Sequence, residues 1–455
     1  MNWETLPGPA RNTAVYNVLR TRETERRPIR VGVVGAGATG RAIALQLGTP
    51  VPGMRLAGIA NRTASHAERA LREAGIESWS AANTPSAAEA SIARGATVLA
   101  EDPTVLTRCA AIDIIVEVTG SVDFAASVVL DAIEHRKHVV MVNAELDSLL
   151  GPILKTKADA AGVVLTHTDG DEPGVAMTLV RYLQSVGLRP VAAGNIKGMV
   201  DYYRTPDTQQ AFAKQHDQDV RKVTSFADST KLSMETTVLA NATGFRAGKR
   251  GMYGYPTAYV RDLARLLPAE QLLNGGLVDY SVGANPYTGA WVAIHEDNPL
   301  KQRQLAYYKL GDGPFYIFYT PFHLPHLQLP STIGRAVIHG DPTVTPLGGP
   351  VCHVVTIAKR DLKAGERLDG IGGFCAYGLI ESVETAGPIN ALPISLSENC
   401  TLLRDIAKDG VISFDDVQMP ATRLSDQLWA EQIQKWPYGK TSPRFDLAHS
   451  RSSAA

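Results

Sequence analysis

The sequence predicts an α/β protein that opens with a doubly wound parallel sheet and continues into an α+β region and a region of short strands. Three observations predict this. Val31, Val33 and Val34 make a short, almost unbroken apolar run that ends in glycines at GxGxxG spacing. Strand-like and helix-like segments alternate from there to about residue 166, as in a parallel sheet with right-handed crossovers. The alternation stops near residue 175, and the composition shifts again at Thr343–Pro350 (TVTPLGGP), which reads as a linker. A chain of 455 residues suits two or three domains.

Composition excludes several classes. A formal net charge of -1 favours neither nucleic acid nor an anionic membrane surface. No apolar run reaches the roughly 18 residues that a transmembrane helix needs. The first thirty residues lack an apolar signal core and suit an amphipathic lead-in helix. Cys109, Cys352, Cys375 and Cys400 show no CxxC spacing, so neither a zinc knuckle nor a disulfide framework is expected, and a reducing cytoplasm is.

Val31, Val33 and Val34 form a strand buried on both faces. Gly35 permits a tight turn, Gly37 lets the backbone approach a pyrophosphate, and Gly40 lets strand and helix pack closely. Arg41–Gly48 is the helix whose N-terminus faces the anion. The stretch reads as a Rossmann dinucleotide loop, with Gly35, Gly37, Ala38, Thr39 and Gly40 as contacts, the alternative being a glycine-rich structural turn. The second strand, Arg55–Ala60, runs into Asn61-Arg62-Thr63, where an acid gripping the ribose is usual. Asn61 and Arg62 instead favour a 2′-phosphate, hence NADP(H). A solvated charge at a strand end is the alternative for Arg62.

Ala64–Ala74 is helical, Ser80–Gly95 is helix or loop, and Ile112–Val118 is a buried strand. Val122–His135 (helix), Lys137–Val142 (strand), Leu149–Ala161 (helix) and Val163–Thr166 (strand) complete the sheet. Ligands of such sheets lie beyond the C-terminal strand ends. That rule selects the loops Gly35–Gly40, Thr119–Val122, Asn143–Asp147 and Thr168–Gly174, and adds Thr119, Gly120 and Asn143 to the cofactor contacts.

The last two loops carry Glu145, Asp147, Asp169, Asp171 and Glu172. Glu145, Asp171 and Glu172 could hold a divalent cation, Mg²⁺ or Mn²⁺, or serve as acid and base. Asp171 and Glu172 could equally begin a helix at Pro173.

Beyond residue 175, Val191–Lys197 reads as a strand, Asp207–Val220 and Thr230–Ala242 as helices, and Ala290–His295 and Phe315–Tyr319 as strands. Lys231 and Glu235 share one face of their helix, either as an exposed ion pair or as cleft residues. Lys197 and Lys231 suit a substrate phosphate, carboxylate or carbonyl. His323 and His326 lie among prolines, where a buried structural histidine competes with a catalytic one and no HExxH helix is expected. Short strands follow Cys352, Trp429–Trp436 is a last helix, and Gly439–Ala455 reads as disordered.

The glycine loop, taken with VVMVNAELD, GDEPG, LANATG, GLVDYS, GPFYIFYTPFHL and RAVIHG, resembles the homoserine-dehydrogenase-like oxidoreductases. The nearest branch is the one called deoxyxylulose-phosphate-reductoisomerase-like, or DRL. AKRDLKAGERLDGIGG and IAKDGVISFDDV resemble a SAF, or β-clip, domain. The resemblance covers about residues 28 to 420. It implies NADPH-dependent chemistry, a central catalytic and dimerising α+β domain, a SAF-like β domain and a divalent metal. Where homoserine dehydrogenases carry a catalytic lysine, this chain reads Asn143-Ala144-Glu145, so their ordinary activity is not expected. The expected domains are 1–170 (NADP(H)-binding, with an N-terminal helix), 171–345 (catalytic), 346–425 (SAF-like) and 426–455 (terminal helix and tail).

The expected function is NADPH-dependent reductive isomerisation of 1-deoxy-D-xylulose 5-phosphate, an isoprenoid-precursor reaction. Lys231, Lys197, Glu145, Glu235 and His323 are its candidate catalytic residues. The alternatives are an NADP-dependent dehydrogenase of another hydroxylated or phosphorylated small molecule and a non-catalytic nucleotide sensor. An anionic small-molecule substrate and a homodimer or homotetramer are the expected partners.

Overall fold

The computed structural model describes residues 14–49, 51–421 and 423–437. They form two compact units, with residues to 143, 154–170 and 324–343 in the first, and 144–153, 171–323 and 344 onward in the second.

The first unit is built on a seven-stranded sheet of β1 (Ile29–Val34), β2 (Met54–Ala60), β3 (Trp79–Ala81), β4 (Thr97–Ala100), β5 (Ile114–Glu117), β6 (His138–Met141) and β7 (Leu165–His167). Their order is β3-β4-β2-β1-β5-β6-β7, and every pairing is parallel. β1 is central because its apolar residues are buried on both faces. Val31 and Val33 are fully buried with Ile114, Val116 and Ile59. The Ser80–Gly95 stretch resolves into β3 and a helix, Pro85–Ala93, whose Thr84 cap accepts a hydrogen bond from Ala87 N–H at 3.2 Å. β4 was not anticipated. It is only four residues long, too short for a periodic signal.

The second unit carries a six-stranded mixed sheet of β8 (Arg189–Lys197), β9 (Arg246–Ala247), β10 (Tyr255–Pro256), β11 (Leu277–Val282), β12 (Ala290–His295) and β13 (Phe315–Thr320). β8 runs parallel to β11 and antiparallel to β12, which pairs antiparallel with β13. The Glu172–Ser185 and Thr230–Thr243 helices bury apolar residues such as Val180, Leu183 and Leu239 in one core with Val292 and Ile294 of the sheet. β14 (Cys352–Ala358) and β15 (Ala376–Ser382) form an antiparallel pair. Val354, Ala376 and Ile380 enter that same core, and Gly378 N–H donates to Thr230 Oγ1 at 2.8 Å. A short pair, β16 (Thr401–Leu402) and β17 (Val417–Gln418), and the Leu424–Lys435 helix complete the described residues.

Three local expectations change. Asn143–Asp147 is not all loop, since the helix already begins at Ala144 and runs to Ala161. Asp207–Val220 splits into helices Pro206–Gln215 and Val220–Ala227, because Asp217 takes a φ of 50° and Asp219 caps the second helix. His326 lies in the first turn of a helix, Pro325–His339, which tolerates Pro325 where an N–H has no intrahelical partner. The tail expected to be disordered lies outside the described residues. No described helix is long and apolar enough to cross a membrane.

Candidate active site

The glycine loop of the first unit has the geometry its sequence requires. Gly35 takes a φ of 115°, and a Cβ on Gly40 would stand 2.1 Å from the Gly35 carbonyl oxygen. Gly37 differs, since a Cβ there would meet nothing within 4 Å. Gly37 caps the Ala38–Gly48 helix without any side-chain hydrogen bond, and Ala38 and Thr39 carry the first-turn amides. Such amides are an anion site.

Around this loop the expected contacts divide into two kinds. Asn61 braces the loop: its Oδ1 accepts from Ala36 N–H at 3.1 Å and its Nδ2 donates to the Thr63 carbonyl at 2.9 Å. Arg62 is exposed at the end of β2. Thr119 and Asn143 converge on Glu117, the last residue of β5. Its carboxylate accepts from Thr119 N–H and Asn143 Nδ2, each at 2.8 Å, and Asn143 Nδ2 also reaches the Ser121 carbonyl at 3.0 Å. Glu117 is fully buried and was missed, because in IDIIVEV it reads as one more strand residue. Gly120, beside Thr119, takes a φ of 72°.

The second unit concentrates the charged candidates. Glu145 stands in the first turn of the Ala144–Ala161 helix, Asp171 caps the Glu172–Ser185 helix, and Asn195 and Lys197 lie near the end of β8. Lys231 and Glu235 lie one turn apart on the Thr230–Thr243 helix, every residue of which is buried. Lys231 is therefore not an exposed partner of Glu235. Its Nζ lies 3.4 Å from Glu145 Oε2, with both residues buried. Glu235 Oε2 instead accepts from Lys197 Nζ at 3.2 Å and from Asn195 Nδ2 at 3.0 Å. Lys197 Nζ also forms a close ion pair with Glu172. One oxygen each from Asp171, Glu172 and Glu235 fall within 4.8 Å of one another. Two of the three expected cation ligands are thus together, joined by Glu235, while Glu145 faces Lys231.

His323 Nδ1 contacts Thr288 Oγ1 at 3.0 Å and lies 3.7 Å from Glu172 Oε1. Burial holds its pKa below the ordinary histidine value, so the ring is neutral at neutral pH. Burial would also lower Lys197 and Lys231, but the carboxylates around them prevail and hold both ammoniums firmly charged. Burial and the neighbouring Glu172 push the Glu235 carboxyl up to about 8. Lys222, on the Val220–Ala227 helix, was missed. It belongs to the same electrostatic environment, with Glu145, Lys231 and Asp171 acting on it, and burial depresses its pKa. No spacing rule connects it to those residues, which tertiary folding alone assembles.

Two family models match consecutive segments. "Homoserine dehydrogenase, NAD binding domain" matches residues 35–167, and "Oxidoreductase DRL, catalytic domain" matches residues 170–329. The chain belongs to the homoserine-dehydrogenase-like oxidoreductases, in the DRL branch. This DRL-branch chain is an NAD(P)-binding oxidoreductase. Its nicotinamide-dinucleotide segment contains the glycine loop, Asn61, Arg62, Glu117 and Asn143, as well as Glu145. Its catalytic segment contains the rest of the cluster, from Asp171 to His323.

The chain matches no curated protein. Among solved structures it is similar to an NAD binding oxidoreductase from Klebsiella pneumoniae (18% identity, 39% of this chain and 44% of that one, TM-score 0.28). A probable dehydrogenase from Thermotoga maritima is 13% identical over 69% of this chain and 90% of that one, with a TM-score of 0.38. The scyllo-inositol dehydrogenase from Lactobacillus casei, with bound NAD(H) and scyllo-inositol, gives the same four values: 13%, 69%, 90% and 0.38.

Proposed function

We propose that the chain catalyses the NADPH-dependent reductive isomerisation of 1-deoxy-D-xylulose 5-phosphate to 2-C-methyl-D-erythritol 4-phosphate, assisted by Mg²⁺ or Mn²⁺. The supporting observation is the buried convergence of Asp171, Glu172 and Glu235 beside charged lysines, within the DRL catalytic segment. Three carboxylates present hard oxygen donors and a formal charge that suit a divalent ion. A bound cation would polarise the substrate's carbonyl and hydroxyl oxygens.

The chain's own residues have separable tasks. Lys231, held charged by Glu145, donates to the oxygen on which negative charge develops. Neutral His323, oriented by Thr288, can accept a proton. Lys222 and Lys231 supply positive charge for a phosphate. Asn61-Arg62, in place of an acid, supports NADP(H) over NAD(H). The SAF-like reading of the C-terminal strands belongs to this proposal, supported by their two sequence motifs.

A second reading rests on Lys197. Its ammonium touches two of the three carboxylates, which neutralises charge without a metal. That favours lysine-centred hydride transfer between NADP(H) and another small molecule, at a carbonyl or the carbinol it becomes. The test is NADPH oxidation with 1-deoxy-D-xylulose 5-phosphate, with Mn²⁺ and after exhaustive chelation. Cation-dependent formation of the erythritol phosphate is expected. Turnover that survives chelation would remove the metal, turnover of another hydroxy-carbonyl substrate in place of this one would move the assignment to the second reading, and binding of NADPH without turnover of any such substrate would leave a nucleotide sensor.

A further inference from the structure

Lys359 follows the last residue of β14, and its side chain is buried. Its Nζ donates to the Arg204 and Gly373 carbonyls, each at 2.7 Å, and lies 2.8 Å from Asp228 Oδ2. The three N–H groups of the ammonium thus have three acceptors. Burial pushes the Asp228 carboxyl up, and the Lys359 ammonium opposes that shift. The acceptors come from separate stretches of chain. Gly373 precedes β15, Arg204 lies in the segment that follows Lys197, and Asp228 stands three residues before Lys231.

The start of the helix that carries Lys231 is built on this junction. Asp228 Oδ1 accepts from Thr230 N–H at 3.0 Å, across Ser229. Ser229 is fully buried, takes a φ of 77° and makes no side-chain cap. A serine keeps that left-handed conformation only where its surroundings fix it. The same helix meets β14 and β15 along a polar seam. Besides the Thr230 contact with Gly378, Ser233 Oγ donates to the Gly378 carbonyl at 3.2 Å, and Asn241 Oδ1 accepts from Val351 N–H at 2.8 Å. The segment after Lys197 is tied to the same strands. Tyr202 stacks on Tyr377 of β15, with ring centroids 5.1 Å apart, and Tyr203 Oη donates to Asp409 at 2.9 Å.

We propose that Lys359 is a positioning residue for Lys231: its ammonium pins Asp228 and the Arg204 carbonyl to the C-terminal strands, and so fixes the start of the helix that presents Lys231. The inference rests on the reading above in which Lys231 donates to the reacting oxygen. A buried ion pair adds little net stability over an apolar pair of similar volume, because desolvation offsets the attraction. What it adds here is direction, since no apolar side chain could hold two carbonyls and a carboxylate around one point. The quantity so fixed is the placement of the Lys231 ammonium, whose contact with Glu145 is 3.4 Å long.

The test compares the full chain with Lys359→Met and with the double variant Asp228→Asn, Lys359→Met. The readouts are thermal unfolding, steady-state kinetics with 1-deoxy-D-xylulose 5-phosphate, and reductive methylation of Lys231 read by mass spectrometry. Lys359→Met strands the Asp228 charge and should lower Tm, whereas the double variant strands none and should regain most of that loss. In the double variant kcat is still expected to be at least about tenfold down, with KM for NADPH unchanged and Lys231 labelled severalfold faster. A merely structural role predicts kcat and Lys231 labelling that return with Tm, and that result would overturn the proposal. Should neither variant fold, amide hydrogen exchange of the wild type decides. The Thr230 and Ser233 amides are expected to open in step with those of β14, and much faster exchange at the helix start would overturn the pinning. Absence of turnover by the wild type would overturn the proposed reaction, and Lys231 labelling would then decide the positioning alone.

Discussion

Glu145→Gln separates an electrostatic role for Glu145 from a structural one at a helix start. Glu145 Oε2 lies 3.4 Å from Lys231 Nζ, and both residues are at least nine-tenths buried. Removing one partner of a buried pair costs about 3–5 kcal/mol when the remaining charge is stranded. Lys231 is not fully stranded, because Asp171 and Glu235 also act on it, and the lost contact is a long one. The expected cost is therefore lower, about 2 kcal/mol. For a unit of about 150–250 residues, each kcal/mol shifts Tm by roughly 2–4 °C, so the expected fall is about 4–8 °C. Thermal unfolding of Glu145→Gln, Lys231→Met and the double variant gives the coupling, expected at about 1–3 kcal/mol. NADPH affinity should hold while turnover falls by at least about a hundredfold, as expected when a preorganised donor is lost. An unchanged Tm together with zero coupling would refute the pair as the reason for burying Glu145, and normal turnover would remove both residues from the chemistry.

Gly37→Ala should leave Tm unchanged, since its Cβ meets nothing within 4 Å, yet weaken dinucleotide binding, whereas Gly40→Ala should destabilise the protein by driving a Cβ to 2.1 Å from the Gly35 oxygen. Titration of both variants with NADPH checks this, and wild-type affinity in Gly37→Ala would remove the pyrophosphate from that loop. Arg62→Ala should narrow the ratio of NADPH to NADH affinities, and an unchanged ratio would leave the 2′-phosphate unassigned. Burial pushes His353 from the ordinary 6.5 down to about 3. The folded state then binds fewer protons than the unfolded one between those values, so stability present above about pH 6.5 is lost as pH falls towards 3. His353→Gln should lose less stability than the wild type between pH 7 and pH 4.5 in denaturant unfolding, and parallel losses would discount this histidine.

The sequence by itself determined the parallel sheet and its dinucleotide loop. β1 is buried on both faces and so reads as an almost unbroken apolar run, Gly35 takes a positive φ, and Gly40 is forced by the nearby Gly35 carbonyl oxygen. The residue types of the candidate set were legible too, since Lys197, Glu145, Asp171, Glu172, Lys231, Glu235 and His323 stand out as charged or titratable groups at element ends or in apolar surroundings. Only the tertiary structure decided who pairs with whom. The i, i+4 spacing of Lys231 and Glu235 predicts a pair on one helix face, yet Glu145, 86 positions away, faces the lysine, and Lys197 and Asn195 of β8 take the glutamate. Lys222 and Glu117 entered the account only with the fold. Buried charges settle on the partners that best offset desolvation, and those partners come from whichever elements the core packs together. Spacing along the chain carries local geometry, but nothing in it records which buried charges the packed core will bring within reach of one another.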